Sequence, residues 1–363
     1  MKKRTDAVGA ALRLERAKES IDSHAYGRAL DLLKNPMPAG LTGERDFLVA
    51  EALRAQGFLA RAALLYKNLL KRVSDPSAKI EACLALAACL RSLGQTQQAR
   101  RVWQIGHKTA VRFANRGLLE RLDLEKILIL RASGDFHLSL KLLKKSESRL
   151  RRAHDWAGAA YVLWAMGGAL RFSGNLAGSR KAFLESLRLA RRAQDKTGAV
   201  YALFGLGGTT RIQGRLAEAQ RHYAAALQAA KGTEDLFGQA YAHCGLANVL
   251  RQRGKSAEAE RHYLQAHGLY RLLGDPVDLA YVDWGLGQIY MRRRDLKAAE
   301  KKLRLAREGF RQGTETRGIV LCEMSLSSIL HARGRTSEAE KLFNTAWRRA
   351  RQAGIHTHLE IFT

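Results

Sequence analysis

The stretch Thr197-Gly-Ala-Val-Tyr201-Ala-Leu-Phe204-Gly-Leu206-Gly-Gly-Thr-Thr-Arg211, followed by Ile212-Gln-Gly214-Arg215 and then Leu216-Ala-Glu-Ala219-Gln-Arg-His-Tyr223-Ala-Ala-Ala226-Leu-Gln-Ala-Ala230, decides the fold. Both long segments place small or apolar residues at i, i+3, i+4 and i+7, which is helical spacing. The glycine between them marks a turn. The unit reads as helix, turn, helix.

Moving outward in steps of forty residues, the same unit returns. Arg211 belongs to a column of Arg91, Arg131, Arg171, Arg211 and Arg251, continued by Met291 and His331. Three residues later stand Gly94, Gly134, Gly174, Gly214, Gly254 and Gly334, with Arg294 the exception. Self-similarity at such a period marks a stacked array. Sixteen residues before the arginine runs a column of Asp75, Asn115, Asp155, Asp195, Asp235, Asp275 and Glu315. Asp and Asn are strong helix N-caps, and acids suit a helix start. Each first helix is therefore expected to begin just after this column and to end near the arginine, whose charge offsets the helix dipole.

The second helix carries a small column, Ala99, Ser139, Ser179, Ala219, Ala259, Ala299 and Ala339. Four residues on stands a bulky one, Trp103, Leu143, Phe183, Tyr223, Tyr263, Leu303 and Phe343. In the first helix, Leu86, Met166, Leu206, Leu246, Leu286 and Leu326 precede Ala87, Gly167, Gly207, Ala247, Gly287 and Ser327. Small residues let helices approach and bulky ones fill the space to the next pair.

Leu-Gly in the first helix followed by Ala, aromatic and Ala in the second resembles the tetratricopeptide repeat. The forty-residue period and acidic cap resemble the Pins-type and related bacterial arrays of that family. Upstream, Ala62 and Tyr66 match the small and bulky columns, and Ala29 with Leu33 match more weakly. The unit at 116–154 departs most, with Lys126 and Ile127 in place of Leu-Gly. The resemblance implies an all-α, right-handed α-solenoid of about nine repeats. Two shorter repeats span 1–74 and seven forty-residue repeats span 75–354. A tail at 355–363 is expected to start a final helix, with Ile355, Leu359, Ile361 and Phe362 covering the open end.

The resemblance also implies that the first helices line a concave groove. Spacing from the Leu-Gly pair selects Tyr161, Tyr201, Tyr241 and Tyr281; Trp164, Phe204 and Trp284; Asn248 and Gln288; and Arg171, Arg211 and Arg251. Aromatics supply contact area and arginines supply charged hydrogen bonds. The implied function is a protein-interaction scaffold holding an extended or helical, acidic peptide segment. The same residues have a bland reading. The aromatics pack between adjacent first helices, and the arginines cap helices or bridge to neighbouring units.

Composition frames these readings. The chain has 363 residues, 62 Lys+Arg against 34 Asp+Glu and a net charge of +28. That excess favours acidic partners. It supports a second reading, in which Lys144-Lys145, Arg149 with Arg151-Arg152, Arg191-Arg192, Arg292-Arg293-Arg294 and Arg348-Arg349 track a nucleic-acid backbone. A third is a bacterial peptide-sensing regulator. Met1-Lys2-Lys3-Arg4 leads into no apolar run, and no stretch is apolar enough to span a membrane. Four cysteines without close spacing fit a reduced, cytoplasmic setting. Arg221-His222-Tyr223 and Arg261-His262-Tyr263 suggest neighbouring histidines, but an exposed helix face is the simpler account, and neither metal nor cofactor is expected. No Ser-His-Asp, paired-carboxylate or phosphate-loop pattern points to an enzyme. Oligomeric state is not encoded in any of these features.

Overall fold

The computed structural model describes residues 2–232, 234–353 and 355. Among them are helices and turns but no strand. The helices are α1 (Lys2–Asp22), α2 (Tyr26–Leu33), α3 (Thr42–Ala55), α4 (Leu59–Leu70), α5 (Pro76–Ser92), α6 (Thr96–Arg112), α7 (Arg116–Ala132), α8 (Phe136–Arg152), α9 (Trp156–Phe172) and α10 (Leu176–Arg192). They continue as α11 (Lys196–Ile212), α12 (Leu216–Lys231), α13 (Leu236–Gln252), α14 (Ser256–Leu273), α15 (Pro276–Arg292), α16 (Leu296–Gln312), α17 (Thr316–Ala332) and α18 (Thr336–Gln352). The architecture is an α-solenoid of helix pairs, odd-numbered helices first and even-numbered second. It forms two compact units, Met1–Ala199 with Ala229–Leu236, and Val200–Gln228 with Phe237–Thr363.

The forty-residue rhythm appears directly in the backbone. Gly94, Gly134, Gly174, Gly214, Gly254 and Gly334 all have φ between 74 and 89°, the left-handed region that glycine enters without a Cβ clash. Arg294, the exception in sequence, adopts φ 63° in the same turn. The acidic column caps as expected at several units. Asp75 accepts from Ala78 N at 2.7 Å, Asp155 from Gly158 N at 2.8 Å and Asp195 from Gly198 N at 2.8 Å. Glu315 makes no side-chain cap bond, and its carboxylate accepts from the Tyr281 hydroxyl instead. The second helices α8, α10 and α16 are capped too, by Asp135, Asn175 and Asp295.

Packing follows the small and bulky columns. In the second unit the Tyr223 ring lies against Gly207 of its own pair and Gly245 of the next first helix. A Cβ at these glycines would approach it to 2.8 and 2.2 Å. Tyr263 meets Gly285 in the same way, at 2.3 Å. In the first unit Phe183 lies against Gly167. Its neighbour Ser179 is fully buried and bonds the Gly167 carbonyl at 2.8 Å. Close approach of backbone to ring excludes water and gives each pair a dense seam.

The bulky column is buried from Trp103 through Leu303 and then changes. Phe343 is 46% exposed and Trp347 on the same helix is 50% exposed. The capping role expected of Leu359, Ile361 and Phe362 falls on residues outside those described.

Candidate binding face

Helices α5, α7, α9, α11 and α13 each end one residue after the column arginine; Arg91, Arg131 and Arg251 reach the following first helix, while Arg171 lies over Phe172 of its own helix. What each arginine meets differs from unit to unit.

In the first compact unit, Arg91 of α5 meets a carboxylate. Its Nε and Nη2 donate to Glu125 of α7 at 2.7 and 3.3 Å, with side chains only 10% and 6% exposed. Burial opposes the charge on Arg91, but Glu125 and a hydrogen bond with Tyr161 outweigh it and raise its pKa. Burial pushes Glu125 up as well. The two-toothed contact with Arg91 opposes that shift without reversing it.

Arg131 of α7 has no such partner. Its guanidinium lies over the Trp164 ring of α9, 5.3 Å from the centroid. Its Nη1 rests on Gly168, where a Cβ would come within 2.8 Å. Its buried Nε has no hydrogen-bond partner among the described residues, and it forms no ion pair there. Burial, then the charge of Arg91, with Arg171 adding to it, pulls its pKa down to about 10 against the opposing effects of Tyr161 and Glu125. Arg171 of α9 is half-buried over the Phe172 ring at 5.2 Å, and its Nε is likewise buried and unbonded. Tyr161 stacks on Trp164 at 5.6 Å and 21°, and remains 39% exposed. Further toward the N-terminus, Arg54 is paired with Glu51 at 2.7 Å. Among the described residues, the face of α5, α7 and α9 therefore holds two cations, Arg131 and Arg171, that form no ion pair and are framed by aromatic rings.

In the second unit the corresponding residues are engaged with one another. Arg251 is buried, lies 5.3 Å from the Trp284 centroid and donates to the Tyr263 hydroxyl at 3.4 Å. That hydroxyl donates to Asn248 Oδ1 at 2.8 Å. Gln288 Nε2 donates to Ser325 Oγ at 2.7 Å, and the Tyr281 hydroxyl to Glu315 at 3.0 Å. Phe204 is buried between Tyr201, at 5.5 Å, and Tyr241, at 4.9 Å. Arg211 is half-buried with no ion pair among the described residues. Asp278 is pushed up to about 8, by burial first and then by Asp275 and Glu315.

Sequence reading selected Arg171 and Trp164 but not Arg131, Arg91 or Glu125. The signal was present. Glu125 stands where Ala165, Gly205, Gly245 and Gly285 stand in other units, so a carboxylate replaces a small residue at the seam. His262 Nδ1 lies 2.9 Å from His243 Nδ1, and His222 faces Glu218. No group of three or more metal-type side chains occurs among the described residues. No helix among them is long and apolar enough to cross a membrane.

Many of the outward basic clusters are internally paired. Arg149 meets Glu120 at 3.3 Å, Arg151 meets Glu185 at 2.7 Å, Arg293 meets Glu260 at 2.7 Å and Arg349 meets Glu323 at 3.4 Å.

Comparison with known proteins agrees with the fold. Residues 199–271 match the family model of the tetratricopeptide repeat. No curated protein matches the chain. A Rap protein solved in complex with Competence and Sporulation Factor is similar at 14% identity, over 97% of this chain and 94% of that one, with a TM-score of 0.54. The apo form of RapI is similar at 11% identity, over 86% of this chain and 99% of that one, with a TM-score of 0.52. BtubC (BKLC) from P. vanneervenii is similar at 20% identity, over 61% of this chain and 93% of that one, with a TM-score of 0.50. At these identities the likeness is one of fold. Residues 199–271 match the tetratricopeptide-repeat model, and the repeated columns and glycine turns continue the same helix-turn-helix unit on either side of that segment.

Proposed function

We propose that the chain is a protein-interaction adaptor that seats an acidic segment of a partner on the first-helix face of its first compact unit. One observation carries this. Arg131 and Arg171 each have a buried Nε without a hydrogen-bond partner, and neither forms an ion pair among the described residues; Glu125, bound to Arg91, acts on Arg131 only through space. A cation in that position gains more from an incoming carboxylate than one already paired or fully solvated. Tyr161 offers exposed aromatic area beside them, and Trp164 and Gly168 hold the Arg131 head in place. The pre-formed helix pairs lower the ordering cost on the receptor side. Arg211, Tyr201 and Tyr241 extend the same columns in the second unit as weaker contacts. Asn248, Gln288, Arg251, Tyr281, Trp284 and Phe204 contribute there through the bonds and packing they already make. A similar Rap protein is known with Competence and Sporulation Factor bound, which is consistent with a binding role for such an array.

Nucleic-acid tracking by the outer clusters is the weaker reading, because Arg149, Arg151, Arg293 and Arg349 are occupied by glutamates. Retention of randomised synthetic 12-residue peptides, rich either in Asp and Glu or in Asn and Gln, on the immobilised chain separates the two. The adaptor reading expects selective retention of the acidic pool, lost in Arg131→Gln/Arg171→Gln and kept in Arg149→Gln/Arg151→Gln. Equal retention of both pools, with oligonucleotide binding abolished by the second variant, contradicts it.

A further inference from the structure

The acidic-segment reading leaves open which anion the two free arginines take, and the charge balance of the first unit narrows it. Going along the first helices, Arg54 is balanced by Glu51 and Arg91 by Glu125. Glu125 also acts on Arg131 through space, so Arg91, Arg131 and Arg171 set against this one carboxylate leave two positive charges in excess. A carboxylate brings one negative charge, and so does each phosphodiester of a nucleic-acid strand. A phosphomonoester brings nearly two at neutral pH, with three acceptor oxygens.

The donors are also the right kind. Arginine presents a rigid planar fork that matches phosphate, where lysine acts as a point charge. Both forks are held by rings, Arg131 over Trp164 and Arg171 over Phe172. Gly168 clears the space that Arg131 Nη1 occupies. From these residues we infer that Arg131 and Arg171 form a seat for a phosphomonoester dianion carried by a phosphorylated side chain of the partner. This rests on the reading that the first-helix face takes an anionic segment, and sharpens it from acidic to phosphorylated. Arg91 lies close enough to repel Arg131, so a dianion at the seat also relieves repulsion that a single carboxylate relieves only in part.

The test uses the full chain and three pools of 12-residue peptides with randomised flanks and a fixed central serine, glutamate or phosphoserine. Binding is read by fluorescence polarisation and by tryptophan emission, since Trp164 lies directly beneath Arg131. The expected result is phosphoserine binding about tenfold tighter than glutamate, as for one added charge-assisted contact. The advantage shrinks between about pH 7.5 and 5.5, as the phosphate takes up its second proton near pH 6. Arg131→Gln and Arg171→Gln each bring the phosphoserine-to-glutamate ratio to near one, while Arg211→Gln leaves it unchanged. Gly168→Val lowers the ratio without removing a charge, because its side chain displaces the Arg131 head. Circular dichroism of each variant confirms that the helices persist. Glutamate binding as tight as phosphoserine overturns the phosphomonoester seat and leaves the acidic-segment reading standing. No binding of any pool overturns both. A single-stranded 12-mer of DNA that competes equally with the phosphoserine pool also overturns the inference, because it shows that diester charge suffices.

Discussion

The two compact units carry the same columns and use them differently. In the first, Arg131 and Arg171 lie over rings with buried, unbonded Nε atoms and no ion pair among the described residues. In the second, Arg251 occupies the equivalent place over Trp284 but shares the Tyr263 hydroxyl with Asn248. Repeat position therefore fixes where an arginine sits and not what it does. The neighbouring unit decides that, through one or two side chains. A small residue at the seam leaves the cation free, a glutamate neutralises it, and a tyrosine with an asparagine ties it into the core.

The contrast can be broken most sharply by charge removal. Arg131→Gln/Arg171→Gln is expected to weaken an acidic peptide by roughly 100-fold or more, since each charged hydrogen-bonding contact contributes about 1.5–3 kcal/mol. Arg211→Gln/Arg251→Gln is expected to cost less than about tenfold in affinity, with loss of stability from Arg251. Isothermal titration of both double variants checks the ranking, and equal losses would erase the distinction between the units.

Glu125→Gln tests neutralisation from the other side. It leaves Arg91 buried without its counter-charge, so denaturant unfolding should show a loss of about 3–5 kcal/mol. In the fraction that stays folded, the face gains a third free cation and should bind the acidic pool more tightly. Weaker binding by the folded variant would mean that Arg91 does not share the face with Arg131.

Seam packing in the second unit is the next largest effect. Gly245→Ala places a Cβ 2.2 Å from the Tyr223 ring. The overpacked seam should lose about 1–3 kcal/mol, seen as a lower Tm. A Tm unchanged from the parent would show that the ring can move aside.

A pH dependence at Asp278 tests the second unit through its charge state. Its folded pKa is raised to about 8 by burial and by Asp275 and Glu315. Between the ordinary carboxylate range and that value the folded chain holds a proton that the unfolded chain releases. Stability from this group is thus complete in acid and is lost as pH rises toward 8. Asp278→Asn stays neutral throughout, so the difference in Tm, variant minus parent, should grow from pH 4 to pH 9. A flat difference would place the carboxylate in open water.

Much of the fold was legible because it is repeated. The capping column, the glycine turns and the small-and-bulky seam each recur at one spacing, so chance resemblance at one unit is corrected by the others. Arg294 shows how strong the template is, since a non-glycine residue adopts the turn's φ. Second-helix caps such as Asp135, Asn175 and Asp295 escaped notice because their column is broken by Gln95, Arg215, Lys255 and Arg335. The candidate site was legible only in outline. The arginine, tyrosine and tryptophan columns could be read, but their partners lie one unit away on a different helix face. Arg131 was passed over because its own unit departs from Leu-Gly at Lys126 and Ile127, although its side chain acts on the well-formed unit that follows. Glu125 could have been found as a charge standing in a small-residue column. The Tyr263–Asn248–Arg251 network could not, because it depends on side-chain angles that no column records.

Site-specific photocrosslinking tests the central claim most directly. A benzophenone side chain is placed at Tyr161 in one variant and at Tyr281 in another, and each is irradiated with the acidic peptide pool. Preferential seating on the first-helix face of the first unit predicts strong labelling at position 161, abolished by Arg131→Gln/Arg171→Gln, and little at 281. Equal or stronger labelling at 281 would contradict it.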